Sequence, residues 1–438
     1  MKGKVVFVAV VLAAAAGLSQ AWEPSIKPVT RQPAHAADAA QIARGARLAA
    51  LGDCIVCHTA VRGKPFAGGL PLSTPFGTIY STNITPDPAT GIGTWPLEAF
   101  TRAMRKGVSR DGHLLYPAFP YPHFTRMTDA DIADVYAFMM SRDPVHATAP
   151  ADKLVFPLNF RPLVAGWNLL YLRRPVDGGP AADAPDAPAA ADASQIAQWN
   201  RGRYLVEGVA HCGACHTPLN KLGAEKHGET FAGGVIEGWD APALTTLAHA
   251  PTPWTHGQLV AYLRTGFASQ HGAAAGPMLP VTQSLADAQQ ADVEAIATYV
   301  LSLQAPAATL AALRRPVEIA QLASPAALAN GATLFNAACA SCHSVAAPMS
   351  TLGGRPSLAQ GTAVNADDPR NAVRMILDGI GWQRSDASHF MPPFAQTFTD
   401  AQIADLANYT RARFSARGPW PGFDAADVGR IRKEAERP

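Results

Sequence analysis

Apolar positions along the chain recur at the three- and four-residue spacing of amphipathic helices in three pairs of segments. The first members of the pairs are ARGARLAALGDCIVCH (43–58), NRGRYLVEGVAHCGACH (200–216) and LANGATLFNAACASCH (328–343), each with a glycine followed by spaced apolar residues. The second members are TDADIADVYAFMM from Thr128, DAQQADVEAIATYVLSL from Asp287 and TDAQIADLANYTRARF from Thr399. Thr128 and Thr399 are expected helix N-caps, with acid in the first turn where it complements the dipole. Proline- and glycine-rich stretches separate the members of each pair. The pattern predicts one plan used three times: helix, long loop, helix.

Internal echoes support duplication. PFAGGLP (65–71) matches TFAGGVI (230–236), and WPLEAFTRAMRKG (95–107) resembles WTHGQLVAYLRTG (254–266). The glycine pairs read as turns, and Trp95 and Trp254 as core. The expected fold class is all-α, three tandem units over 38–173, 195–305 and 322–420. The stretch RPVDGGPAADAPDAPAAADAS (174–194) has the composition of an extended linker. A chain of 438 residues is long enough for about three domains.

Charge and the N-terminus narrow the setting. The balance of 36 basic to 34 acidic residues, without like-charge runs, argues against nucleic acid and against a polybasic membrane patch. Lys2 and Lys4 precede fourteen apolar residues, Val5 to Leu18, and then small residues at Ser19 and Ala21. This reads as a signal peptide, 1–21, cleaved after Ala21. The apolar run is shorter than the ~20 residues a membrane span needs. The expected location is the periplasm, with association at the outer face of the cytoplasmic membrane as a peripheral option.

Each first-member segment ends in the same five-residue pattern, CIVCH, CGACH or CASCH, and the three patterns use all six cysteines. Zinc fits poorly, because two ligand pairs set apart in sequence are usual and Cys57 and His58 can hardly both reach one ion. A thiol redox pair leaves the histidine unexplained. Covalent haem accounts for every letter: Cys54 and Cys57, Cys212 and Cys215, and Cys339 and Cys342 form thioethers, while His58, His216 and His343 become proximal iron ligands. The helix–motif–loop–helix unit is then the small all-α cytochrome c plan, with three covalent haem c groups.

A sixth ligand is expected in a loop ahead of the last helix of each unit. Met278 in GPMLP and Met391 in HFMPPF occupy such places, and a thioether favours ferrous iron. Met375 falls on the apolar face of NAVRMILDGI, and Met349 is close behind His343. In the first unit, YPAFPYPHF puts Phe119 where methionine is expected. Met104 reads as core and Met127 as an apolar staple before an N-cap. His123, in the same proline-stiffened loop, is the candidate taken forward, with Met127, His113 and an open iron as alternatives.

With these motifs in view, the chain resembles the triple-haem cytochrome c subunits of periplasmic bacterial dehydrogenases, alcohol and gluconate enzymes among them. The resemblance runs over nearly the whole mature length, through KPFAGGLPLSTPFGTIYSTNITPD, GIGTWPLEAF, LVAGWNLLYL and GPM. LYPAFPYPHFTRMTDADIADVYAFM and FPLNFRPLVAGW look more like cytochromes that accompany molybdenum hydroxylases, such as nicotinate dehydrogenase or aldehyde oxidoreductases. The resemblance implies an electron-transfer subunit. Its partners would be dehydrogenase catalytic subunits, a molybdenum hydroxylase with an iron-sulfur subunit, and its acceptor quinone or a terminal oxidase. No dinucleotide fingerprint is present and no cysteine is left for an iron-sulfur cluster in this chain. Two competing classes are a haem enzyme with a peroxidase-like first haem and a soluble multihaem carrier without a fixed partner.

Overall fold

The computed structural model describes residues 23–30, 38–172, 192–250, 252–304, 325–344, 347, 357–383 and 388–435. The expected signal peptide, residues 174–191 of the expected linker, and Met349 lie outside them.

Each unit is built on a crossed pair of helices. Helix α1 (Ala39–Leu51) packs on α3 (Asp129–Met140), α5 (Ala193–Tyr204) on α8 (Gln290–Ser302), and α9 (Pro325–Ala338) on α11 (Asp400–Phe414). The glycine of each first member explains the pairing. A methyl group at Gly45 would sit 1.9 Å from the Asp134 carbonyl oxygen, one at Gly202 2.0 Å from that of Ala295, and one at Gly331 2.3 Å from that of Asp405. Only a residue without Cβ allows backbones this close. A polar tie lies beside each crossing: Arg44 reaches Asp134 through two bonds of 2.7 and 3.2 Å, Arg201 reaches Asp292 at 2.7 and 3.1 Å, and Asn330 donates to Asp405 at 3.4 Å.

Thr128 caps α3 by accepting from the Asp131 N–H, and Thr399 closes a reciprocal capping box with Gln402 at the head of α11. Both expected caps stand. The second unit differs from expectation. Its last helix starts at Gln290, and a separate helix α7 (Met278–Ala286) occupies the stretch read as loop. The intervening helices are α2 (Leu97–Lys106), α4 (Leu163–Tyr171), α6 (His256–Thr265) and α10 (Arg370–Asp378), and α12 (Ala425–Ala435) closes the chain.

The expectation of an all-α chain is met only coarsely. The loops carry small antiparallel sheets: β1 (Pro71–Thr74) with β2 (Gly77–Tyr80) and β3 (Lys153–Leu154), β4 (Gly234–Ile236) with β5 (Trp239–Ala241), β6 (Phe267–Ala268) with β7 (Gly272–Ala273), and β8 (Ile380–Gln383) with β9 (Ser388–Met391). Long loops with left-handed glycines, such as Gly77 at φ 119° and Gly272 at φ 114°, satisfy their backbone groups by pairing with themselves.

The cores do not follow the three repeats. Leu48, Met104, Phe124, Ile132 and Phe138 of the first unit belong to one cluster with Trp199, Leu205, Val293 and Tyr299 of the second. The third unit has its own cluster, including Val373, Leu377, Ile403, Trp420, Phe423 and Ile431.

Candidate functional site

The three motifs close the same turn. The His58 N–H donates to Cys54 O at 3.0 Å, His216 to Cys212 O at 3.0 Å, and His343 to Cys339 O at 2.9 Å. One helical turn therefore carries both thiols and the imidazole. Before the first cysteine the chain bends through a left-handed residue, Asp53 at φ 49° and His211 at φ 39°. In the second unit a wider π-type turn, Leu205–Val209, carries α5 to that bend.

The two proximal histidines are aimed alike. His58 Nδ1 lies 2.6 Å from Thr82 O and His216 Nδ1 lies 2.8 Å from Pro242 O. A carbonyl can only accept, so each Nδ1 carries the proton and each Nε2 keeps its lone pair for iron. Burial holds both imidazoles below their ordinary value, which favours the neutral form a ligand needs. Burial also pushes the Cys54 and Cys212 thiols up to about 12 and Cys57, Cys215 and Cys339 up to about 11. Reactive or metal-binding thiols are shifted the other way, so these pairs are poorly placed for thiolate redox chemistry.

The first and second motifs stand back to back. His211 Nε2 approaches Gly52 O at 3.3 Å, and a methyl at Gly52 would meet Val209 O at 3.2 Å. Asp53 is buried at this junction, where desolvation raises its carboxyl to about 6 despite a bond from the Ser284 hydroxyl. A single cavity of about 2670 Å³ is lined by Cys54, Cys57 and His58 and also by Cys215. Small-molecule pockets hold ~300–1,000 Å³, so this space is ample for a large planar group beside His58.

The expected sixth ligands have distinct settings. Met278 opens α7 directly after Pro277, partly buried against the shared core. Met391 ends β9 opposite Ile380, and Gly379 at φ 71° lets the chain pass, since a methyl there would meet Met391 O at 2.3 Å. His123 is buried with both ring nitrogens facing acceptors: Nδ1 is 3.0 Å from Glu207 O and Nε2 is 2.5 Å from Glu225 Oε1. It thus ties the first unit's loop to the second unit, where Arg126 Nη1 also donates to Glu207 O at 2.9 Å. His113 Nδ1 pairs with Asp111 at 2.6 Å, and Met127 is core.

The sequence signalled neither Thr82 and Pro242 nor Glu207 and Glu225. Thr82, Pro242 and Glu207 act through main-chain carbonyls, which any residue could supply. Glu225 could have been noticed as an isolated acid soon after the second motif.

The third unit joins the second through the β8–β9 hairpin. Trp382 is buried, donates to the Thr282 hydroxyl at 3.1 Å and lies against Gly266, while His389 Nε2 meets Thr265 O at 3.0 Å. The same hairpin carries Met391, and Thr282 lies one turn beyond Met278 on α7.

Comparison with known proteins agrees with this geometry. The family described as Cytochrome c matches residues 42–143, 200–304 and 328–412. A nicotinate dehydrogenase subunit of Pseudomonas putida is 46% identical over 94% of this chain and 33% of its own length. The fructose dehydrogenase cytochrome subunit of Gluconobacter japonicus is 37% identical over 85% of this chain and 79% of its own. The gluconate 2-dehydrogenase cytochrome c subunit of Pantoea cypripedii is 36% identical, with 91% of each chain covered. The chain thus spans a third of the length of the nicotinate dehydrogenase subunit and most of the length of the other two. With three matched segments and three attachment motifs, the chain belongs to the cytochrome c family as a triple-haem electron-transfer subunit of the dehydrogenase-associated kind.

Proposed function

We propose that this subunit takes electrons from a periplasmic molybdenum hydroxylase with an iron-sulfur subunit and passes them toward quinone or a terminal oxidase. The observation that carries the reading is the similarity to the nicotinate dehydrogenase subunit across 94% of the chain. When bound, each haem supplies a one-electron iron couple. The protein's part is to hold three such groups in fixed relation. His58 and His216 are locked by carbonyls, the first two motifs share a buried junction, and the Trp382 hairpin fastens the third unit beside α7. The units are assigned to 38–173, 195–305 and 322–420, after a leader over 1–21.

The axial ligands proposed are His58, His216 and His343 on the proximal side, with Met278 for the second iron and Met391 for the third. For the first iron, His123 is the candidate offered by its loop, and ligation requires its Nε2 to leave Glu225. That contact favours a second reading, a first haem with an open sixth position. Carbon monoxide difference spectra separate the two. No response in the wild type and one carbon monoxide-binding haem in His123→Ala support ligation by His123. One responsive haem already present in the wild type supports the open site.

The partner assignment is tested by purifying the subunit from its native source under mild conditions. A co-purifying molybdenum hydroxylase whose substrate reduces all three haems supports the proposal. A flavin- or quinone-dependent dehydrogenase in its place would overturn the partner class and leave the carrier role intact.

A further inference from the structure

Helix α10 buries a charge. Arg374 sits on the same buried face as Val373 and Leu377, two members of the third unit's core, and its side chain is nine-tenths buried. A guanidinium has five N–H donors and no acceptor. Nη2 reaches Asp378 at 2.9 Å, whereas Nε and Nη1 are buried and have no hydrogen-bond partner among the described residues. Desolvation holds this cation below its ordinary value, and Arg370 pushes the same way against Asp378, Glu237 and Glu434. A buried arginine is ordinarily paired, because leaving its donors unmet costs the full desolvation of the charge.

The guanidinium lies over the Trp239 ring of the second unit, 5.2 Å from its centroid. Trp239 stands three residues before Pro242, whose carbonyl orients His216. A methyl at Gly276, two residues before Met278, would meet the same indole at 2.3 Å. Trp239 therefore packs between the strand that orients the second proximal histidine and the turn that leads to Met278. Arg370 and Arg374 line the large cavity with Cys215, Glu237, Gly238 and Pro277, so the two cations border the space beside the second attachment turn. Arg370 is engaged by Glu434 and donates to Gly238 O at 3.4 Å, and Glu237 is exposed. Arg374 still has two nitrogens to offer. The anion that haem brings to such a space is a propionate carboxylate, and arginine binds carboxylates through charge-assisted hydrogen bonds.

We propose that Arg374 of the third unit binds a propionate of the second haem, so that α10 completes a site whose thiols and proximal histidine come from the second unit. A positive charge held beside the haem disfavours its ferric form and raises its potential. Docking of the third unit thereby tunes the second haem.

The test is an experimental structure of the mature holoprotein, joined to redox titration of Arg374→Gln and Arg374→Lys. The structure should show a propionate oxygen of the haem on Cys212 and Cys215 within ~3.2 Å of Arg374 Nε or Nη1. Arg374→Gln should lower the midpoint potential of one haem by about 59 mV, a tenfold shift of a one-electron equilibrium. It should also move that haem's propionate bending band in resonance Raman spectra. Arg374→Lys keeps the charge and should recover most of the potential. A merely structural arginine would move neither reading, so an Arg374→Gln protein with three haems, unchanged potentials and unchanged bands overturns the proposal. So does a holoprotein in which both nitrogens meet only water or protein, or a propionate of the first or third haem. If Arg374→Gln does not fold, the holoprotein structure decides alone. Failure on any of these counts leaves the carrier role and the partner assignment standing, because neither rests on Arg374.

Discussion

The first two units and the third are copies of one plan, yet they are joined differently. Units one and two share a core, and their motifs are packed against each other through Gly52, Val209 and His211. Unit three keeps a separate core, closed by Trp420 and the terminal helix α12, and meets unit two at the β8–β9 hairpin and along α10, where Asn371 bonds Asp240 and the Arg374 guanidinium lies over the Trp239 ring. Duplication set the number of sites. Packing at the seams sets which sites are mechanically one object.

The sharpest way to break this comparison is truncation. A chain ending at Gln304 should remain folded with two haems, whereas a chain starting at Asp192 should lose the integrity of its second site. The latter strips Phe124, Met127 and the rest of the first unit from a shared core, and deleting several large buried side chains costs ~2–5 kcal/mol each. Haem stoichiometry by mass and thermal melts read both outcomes. If the two-unit C-terminal piece melts like the full chain, the shared core is not a unit of stability.

Axial ligation is the next largest effect. Met278→Ala and Met391→Ala should each remove one sulfur-to-iron near-infrared band and lower one potential by on the order of 0.1 V, within the ~0.8 V that axial ligands command. Spectroelectrochemical titration should show the two changes on different haems. Two intact bands in both variants would refute the assignment.

The crossing glycines test the seams at smaller scale. Gly45→Ala and Gly331→Ala both insert a methyl into a carbonyl and should cost ~1–3 kcal/mol by overpacking. Of these two, Gly45→Ala alone should also lower the melting of the second unit, because the Gly45 crossing feeds the shared core and the Gly331 crossing does not. Equal spread from both variants would erase the distinction between the seams.

The smallest effect is electrostatic. Desolvation raises the Asp53 carboxyl from an ordinary 3.8 to about 6. A raised carboxyl contributes stability below pH ~3.8 and loses it as pH rises through ~6, because the charged form is the one burial penalises. Asp53→Asn should therefore raise the melting temperature by a few degrees above pH ~6 and leave it nearly unchanged near pH 4. A benefit confined to acid pH would have the wrong sign for a desolvated carboxylate.

Much of this was legible in the sequence, and the reasons are local. CIVCH, CGACH and CASCH need only their own residues to specify a turn with two thiols and an imidazole, and Thr128 and Thr399 cap helices through neighbours three positions away. What was hidden depends on distant partners. The crossing role of Gly45, Gly202 and Gly331 needs a facing helix that follows only after a long loop, with partners at Asp134, Ala295 and Asp405, and the acceptors Thr82 O and Pro242 O are main-chain atoms with no side-chain signature. The β hairpins escaped notice because strands of two to four residues are too short for an alternating pattern to register. The setting of His123 was hidden for the same reason as the crossings. Its loop position was readable, whereas Glu225 and Glu207 meet it only after two units dock.

The back-to-back packing of the first two motifs bears on maturation. Thioether formation needs an accessible thiol and room for the porphyrin to approach, and both persist once the two units have closed: Cys57 is exposed, Cys54, Cys212 and Cys215 are half-buried, and an open cavity runs past Cys54, Cys57 and Cys215. Access to the thiols therefore imposes no order between closure of the first two units and attachment at their motifs.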